Sequence, residues 1–236
     1  DIDGTGTGYA NTIIGNSGDN HLNGAWGDDT IYGGAGNDTI RDSSGADLMV
    51  GGTGNDVYYV DATGDRIVER EDEGVDTVFA TISIDLRSYG HTIENLYLIG
   101  SANLNATGNG YANTLRGNEG NNRLNGAWGD DTVYGGAGND TISDSRGDDR
   151  FSGGSGADTF VFTDDFGRDV ITDFNPAQRG DVIDLIDVSA IRSFADLVEN
   201  HLRTANGHAL IFDGDGNTIT LMNVAPEALE AADFLF

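Results

Sequence analysis

The sequence predicts an all-β protein, a parallel β-roll in two arrays with intervening strands and a C-terminal capping region containing one short helix. Three observations predict it. Residues 24–59 divide into the nonapeptides GAWGDDTIY, GGAGNDTIR, DSSGADLMV and GGTGNDVYY. Each carries Gly at position four (Gly27, Gly36, Gly45, Gly54), Asp at position six (Asp29, Asp38, Asp47, Asp56) and a large apolar residue at position eight (Ile31, Ile40, Met49, Tyr58). The module then returns: GNGYANTLRGNEGNNRLNGAWGDDTVYGGAGNDTISDS, from Gly108, repeats the stretch that begins at Gly6 almost residue for residue.

The residue types follow from the chemistry. The pattern G-G-x-G-x-D-x-U-x is that of a calcium-binding parallel β-roll. Its turn must bend sharply and expose carbonyls, which favours Gly at backbone angles closed to other residues. The last three residues form a short strand with position eight inward, and one nonapeptide cannot bury that face alone. A hard cation takes six to eight oxygens, which carboxylates and backbone carbonyls supply. Turns alternate between the two sides of a roll, so an ion is expected between loops two repeats apart. On this reading Asp29 pairs with Asp47, and Asp38 with Asp56. A disordered glycine-rich linker would have no reason to keep an apolar residue at every position eight.

Composition narrows the partners. The 236 residues carry 40 acidic and 12 basic side chains, for a net charge of −28. Every basic residue is Arg. Nucleic acid and anionic membranes would repel such a chain, whereas metal cations would be attracted. With no Cys, no disulfide framework holds the fold. No apolar run is long enough for a membrane span. The chain opens at Asp1 without Met and without a charged-then-apolar leader, and is read as an excised piece of a longer protein or a mature form.

Taken in order, residues 1–59 form the first array. Its leading repeats GTGYANTII and GNSGDNHLN keep the inward Ile13 and Leu22 but place Asn11 and Asn20 at position six. Asn offers a carbonyl oxygen without charge, so a weak site joining Asn20 to Asp38 and a cap of stacked Asn hydrogen bonds are both open. Residues 60–107 leave the period and read as intervening strands, with Val78, Ala80, Ile82, Ile84 and Leu86 on one face. The acidic run EREDEG reads as a solvated turn rather than an ion site. Residues 108–161 form the second array, with Asp131, Asp140, Asp149 and Asp158 at position six and Val133, Ile142, Phe151 and Phe160 inward. Ions are expected between Asp131 and Asp149 and between Asp140 and Asp158, with a weaker site from Asn122 to Asp140.

Residues 162–236 form the C-terminal cap. DVITDFNP and GDVIDLIDVSA read as strands, and SFADLVENHLRTANG as the helix. Ser193 caps it with Asp196 three residues on, Phe194, Leu197, Val198 and Leu202 make its apolar face, and Asn206-Gly207 ends it. HALIFDGDGNTITLMNV reads as a β-hairpin. Its DGDGN turn lacks the Gly and the Glu of a helix–loop–helix calcium loop, since Thr218 stands where the Gly belongs. A short helix start is expected at Pro226.

These residues resemble the RTX (repeats-in-toxin) proteins. GADTFVF, DVITDFNP, GDVIDL and the closing DFLF are similar to the C-terminal β-roll domain of serralysin-type metalloproteases. The resemblance implies bacterial type I secretion through an uncleaved C-terminal signal, and hence an extracellular protein. It implies Ca²⁺, several ions, held by the position-six carboxylates and by carbonyls of the glycine-rich turns. In the first array these turns include Gly27, Gly34, Gly36, Gly45, Gly52 and Gly54. In the second they include Gly129, Gly136, Gly138, Gly147, Gly154 and Gly156. Ala25, Asp42, Ser43, Asp144 and Ser145 depart from the ideal repeat and put individual ligands in doubt.

The protease that often precedes such a domain would carry H-E-x-x-H, which this sequence lacks. His21, His91, His201 and His208 are scattered, no G-x-S-x-G elbow occurs and no thiol is available. The reading favoured is a non-catalytic calcium-binding module of a secreted protein. The alternative is a calcium-dependent adhesin or polysaccharide-binding module, for which Trp26 and Trp128 are the candidate sugar-stacking residues.

Overall fold

The computed structural model describes residues 1–70, 73–90, 92–143, 146–176 and 180–236. It is an all-β parallel solenoid organised as two compact units, Asp1–Ile99 and Gly100–Phe236.

In the first unit, successive strands alternate between two sheets. One sheet takes Asp3–Thr5, His21–Asn23, Thr39–Arg41, Val57–Val60, Thr77–Ala80 and Asn95–Leu98, all parallel. The other takes Thr12–Ile14, Thr30–Ala35, Leu48–Thr53 and Arg66–Val68. Each strand therefore lies on the strand two repeats away. Position eight meets position eight: Ile31 pairs with Met49 and Ile40 with Tyr58, and all four are fully buried. One nonapeptide would leave such a side chain wet, and the stack removes it from water.

The parallel ladder continues past the repeats. Arg66–Val68 pairs with Leu48–Thr53, and Thr77–Ala80 with Val57–Val60. Val78, Ala80, Ile84 and Leu86 are buried as the alternation requires, but a bend at Thr81–Ile82 leaves Ile82 only half-buried. Outside the roll, Tyr59 stacks on Phe79 at 5.2 Å, and the Arg41 guanidinium lies 3.6 Å from the Tyr59 ring.

In the second unit, one sheet takes Asn105–Thr107, Arg123–Asn125, Thr141–Ser143, Thr159–Thr163 and Val182–Asp187 in parallel. Phe234–Leu235 adds to its edge, so the closing DFLF is stitched into the sheet. The other sheet takes Thr114–Arg116, Thr132–Ala137, Arg150–Ser155 and Arg168–Ile171, then Thr218–Leu221. The register repeats that of the first unit, with Val133 on Phe151 and Ile142 on Phe160. Larger side chains fill this core: Phe151, Phe160, Phe162 and Phe166 are all buried.

The helix is shorter than the sequence predicts. Ser193 does cap it, its Oγ accepting from the Asp196 N–H at 3.2 Å. Helical backbone ends at His201, however, and Leu202–Ala205 is a strand antiparallel to His208–Phe212. Asn206 and Gly207, at φ 53° and 85°, make a hairpin turn instead of a helix end. Two positive φ values in a row are what an Asn-Gly hairpin turn demands, and here turn chemistry outweighs helical periodicity. Val198 is consequently exposed rather than on a buried face. The hairpin from His208 to Leu221 is as expected, and Asp213 Oδ1 closes its turn by accepting from Asp215 and Asn217. At Pro226 a single 3-10 turn forms, Pro226–Ala228.

Candidate metal centre

Each position-six carboxylate ties two turns on the same side of the roll together. The N–H of Asp29 donates to Asp47 Oδ1 at 2.6 Å, and that of Asp38 to Asp56 Oδ1 at 2.7 Å. In the second unit Asp131 donates to Asp149 Oδ1 at 2.6 Å, and Asp140 to Asp158 Oδ1 at 2.9 Å. The pairs expected from the period are therefore neighbours in space. All eight side chains are buried.

One oxygen of each pairing group is thus accounted for. The other is not: Oδ2 of Asp29, Asp38, Asp47, Asp56, Asp131, Asp140 and Asp149 is buried with no hydrogen-bond partner. Buried polar atoms without partners are rare because each forfeits its hydration. Here they recur at seven of the eight position-six carboxylates of the two arrays. Burial and neighbouring carboxylates push four of these groups up. Asp131 rises to about 8, through burial first and then Asp149 and Asp130; Asp140 rises to about 6, through burial and Asp158. Asp56 rises to about 6 by burial, Asp38 and Glu73, and Asp38 is raised mainly by burial. Such a donor set, paired carboxylate oxygens shielded from water in carbonyl-rich turns, suits a hard cation.

The glycines shape these turns. All twelve of the predicted turn glycines have positive φ, from 90° at Gly154 to 153° at Gly45. At Gly54 a Cβ would strike the Gly36 carbonyl of the turn below, so close stacking as well as the backbone angle requires Gly there. Ala25 and Ala127 hold φ of 72° and 75° at position two, where the ideal repeat has Gly.

Asn turns are built differently. The Asn20 carbonyl oxygen accepts from the Asn16 N–H at 2.8 Å, and its amide donates to Asn16 Oδ1 at 3.3 Å. Asn122 likewise accepts from Asn118 N–H at 2.8 Å and donates to the Leu104 carbonyl at 3.1 Å. Their backbones still continue the columns, donating to Asp38 and Asp140. The amide of Asn20 is engaged inside its own turn, and that of Asn122 both in its own turn, with Asn118 Oδ1 at 3.1 Å, and with the coil before it, unlike the Asp Oδ2 atoms.

Several acids join that the sequence reading did not single out. Asp65 accepts from Asp47, Asp76 from Asp56, and Glu94 from Asp76. In the second unit Asp169 accepts from Asp149 and Asp181 from Asp158. Asp65 keeps the period and could have been counted; the others sit behind longer turns. Asp42 is the sharper case. It departs from the repeat, yet it brings an oxygen within 4.8 Å of those of Asp29 and Asp47. Both its oxygens are buried without partners, and burial with the adjoining Asp47 and Asp29 carboxylates raises it to about 8. Its counterpart Asp144, with Ser145, lies outside the described residues, as do His91 and, within the acidic run, Glu71 and Asp72. Glu69 of that run is not solvated as predicted: both its carboxylate oxygens are shielded from water.

The remaining candidates are plain. Trp26 and Trp128 are exposed, at 66% and 61%. His201 packs at the hairpin with Nδ1 2.8 Å from the Phe212 carbonyl. No helix among the described residues is long and apolar enough to cross a membrane.

The repeats were compared with known proteins. The family model of the RTX calcium-binding nonapeptide repeat matches residues 5–40, 33–67, 107–142, 126–160 and 134–171. Among solved structures, the AlgE6R3 subunit of the Azotobacter vinelandii mannuronan C5-epimerase is similar at 28% identity and a TM-score of 0.44, over 55% of this chain and 80% of that one. The extracellular lipase LipA from Serratia marcescens is similar at 20% identity and a TM-score of 0.40, over 98% of this chain and 39% of the lipase. No curated protein matches the chain in sequence.

Proposed function

The chain belongs to the RTX calcium-binding nonapeptide repeat family, and from that premise we propose that it is a non-catalytic module of a larger, type I-secreted bacterial protein, folding on calcium outside the cell. It binds Ca²⁺, several ions. The proposed holders are Asp29 with Asp47, Asp38 with Asp56, Asp131 with Asp149 and Asp140 with Asp158, together with carbonyls of the glycine-rich turns. Asp42 joins the first of these pairs. Asn20 and Asn122, whose amides are already engaged, take the weakest share and bound the columns.

The single observation that carries this reading is the column of partnerless Oδ2 atoms. Calcium, when bound, supplies the positive charge and the six to eight coordination positions that such oxygens need. Without a counter-ion the stacked carboxylates repel across short distances in a poorly hydrated turn, and a chain of net charge −28 with modest apolar content resembles a disordered composition. Each site adds roughly 2.7 kcal/mol when free calcium is about a hundredfold above its dissociation constant. A few such sites match the ~5–15 kcal/mol net stability of a typical domain. The chain would then stay open in a low-calcium cytoplasm and fold outside, where the C-terminal hairpin and helix offer ordinary apolar packing to start the stack. Circular dichroism through a calcium titration, reversed with EDTA, tests this. A full β signal in EDTA, unchanged by calcium, would overturn it.

A second reading, a polysaccharide-binding or adhesive module, is favoured by one observation, the exposure of Trp26 and Trp128 at equivalent turns. A glycan array probed with and without calcium tests it, and no calcium-dependent signal would dismiss it.

A further inference from the structure

Beyond the nonapeptides, a different set of oxygens converges at the end of one column of the first unit. Asp56, Glu69 and Asp76 each bring a carboxylate oxygen to within 4.8 Å of the others. Asp56 and Asp76 are buried. Both oxygens of Glu69 are shielded from solvent without a partner in hydrogen-bond geometry, and so is Oδ2 of Asp56.

A second, independent feature points to a ligand. The hydroxyl of Tyr58, on a side chain that is 0% exposed, also has no partner. A buried tyrosine hydroxyl ordinarily finds one. It aims at the same place: a Cβ at Gly51 would fall against Tyr58 Oη, Asp56 Oδ2 and Glu69 Oε1. Oxygens of Asp56 and Tyr58, two residues apart in one repeat, and of Glu69, just after the strand Arg66–Val68, thus converge over a residue that has no side chain to fill the space.

Among its described residues, the second unit lacks this arrangement. Phe160 stands where the first unit has Tyr58 and carries no hydroxyl. The turn at Gly153 and Gly154 is closed by ordinary hydrogen bonds, both N–H groups donating to Asp173 at 3.0 and 2.9 Å. The oxygens around Gly51 are therefore not a general consequence of the roll.

We infer that Asp56, Glu69, Asp76 and Tyr58 form a further cation site of the calcium class, closed by a glutamate from outside the nonapeptide pattern. It rests on the calcium-binding reading through Asp56, which it shares with the repeat column. Electrostatics agrees. Burial, then the Asp76, Asp56 and Glu73 charges, raises Glu69 to about 9 against a smaller lowering by the Gly51 amide, and burial with Asp56, Glu94 and Glu73 raises Asp76 to about 7. Carboxylates this close ionise together only with a positive charge among them. Three carboxylates face this site where the Asp38–Asp56 pairing offers two, so it fills early in a calcium titration.

Native mass spectrometry and calorimetric titration of the whole chain with calcium alone test the site by comparing wild type with Glu69→Gln. The variant is expected to hold one ion fewer and to lose one of its early, tight binding steps. Full stoichiometry with unchanged affinities overturns the site and leaves the repeat reading standing. A wild type that takes up no calcium overturns both. Should Glu69→Gln fail to reach the wild-type β signal in calcium, Tyr58→Phe decides. Terbium emission excited through tyrosine then loses an early-filling component, and a terbium titration identical to wild type overturns the site.

Discussion

The backbone N–H of Asp29 donates to Oδ1 of Asp47 across 2.6 Å, although 18 residues separate them. One carboxylate therefore does two things. Its first oxygen fastens a turn to the equivalent turn of the next coil, and its second, Oδ2 of Asp47, is left buried with no partner. An amide can do the first job, but only a carboxylate brings charge to the second.

That division is testable at Asp131, whose Oδ1 accepts from Asn113 at 2.6 Å. In Asp131→Asn the amide oxygen keeps the fastening bond and the buried charge is gone. In EDTA the β signal is expected to hold or rise. With calcium, the concentration at the folding midpoint is expected to increase, and about 2–3 kcal/mol of calcium-dependent stability is lost with the ion. Equal losses in both conditions would show that Asp131 is structural only.

The duplicated modules make a paired prediction. Asp38 and Asp140 are both buried, accept from Asn20 and Asn122 at 2.7 and 2.8 Å, and donate to Asp56 and Asp158. Asp38→Ala and Asp140→Ala should lower the calcium-saturated stability by amounts agreeing within about 0.5 kcal/mol, the scatter typical of independent sites. A larger gap in melting experiments would mean that the two columns are loaded differently.

Acid should partly replace calcium. Asp140 and Asp56 are raised to about 6, Asp76 to about 7, Asp131 and Asp42 to about 8 and Glu69 to about 9. A carboxylate raised on folding favours the folded state fully below its unfolded value, near 4, and loses that contribution as pH rises through its folded value. In EDTA, the β signal is therefore expected to grow as pH falls from about 9 to about 5. A signal that grows with rising pH over this window would reverse the sign and refute the account.

Asp42→Gly restores the residue usual at position one of the repeat, yet it should weaken calcium binding. It removes two partnerless oxygens from beside Asp29 and Asp47. A roughly tenfold loss at one ion, about 1.4 kcal/mol, is expected by calorimetry. Unchanged or tighter binding would mean that Asp42 only repels its neighbours.

Ala25→Gly and Ala127→Gly should stabilise the folded protein. The alanines sit at φ of 72° and 75°, a conformation that costs an L-residue about 1–2 kcal/mol. Part of this is offset by the greater freedom of Gly in the unfolded chain, roughly 0.4–1 kcal/mol. A net gain of about 0.5–1 kcal/mol each is expected from melting in saturating calcium, and a loss would show that the αL strain is absorbed locally.

Much of the candidate site could be read from spacing alone. Asp29 and Asp47, or Asp140 and Asp158, meet because every turn between them has the same length, so counting nonapeptides also counts coils. Asp65 stands at position six of the frame continued beyond Tyr59 and was legible in the same way. Asp76 and Asp169 were not. Each lies 20 residues from its partner rather than 18, and Asp181 lies 23 from Asp158. An insertion in a loop throws off a count along the chain, while the strands on either side keep the stack in register.

The sequence by itself determined the period, the inward face at position eight and the buried Asp at position six, because each is a local demand of one turn and one strand repeated without change. Only the tertiary structure decided which acids outside the period share a turn, and that Asn206-Gly207 closes a hairpin rather than a helix. It also decided that Asp42, Glu69 and Tyr58 carry partnerless oxygens. The reason is physical: whether a polar atom is satisfied depends on what the next coil places against it, and that neighbour lies about twenty residues away, through space rather than along the chain.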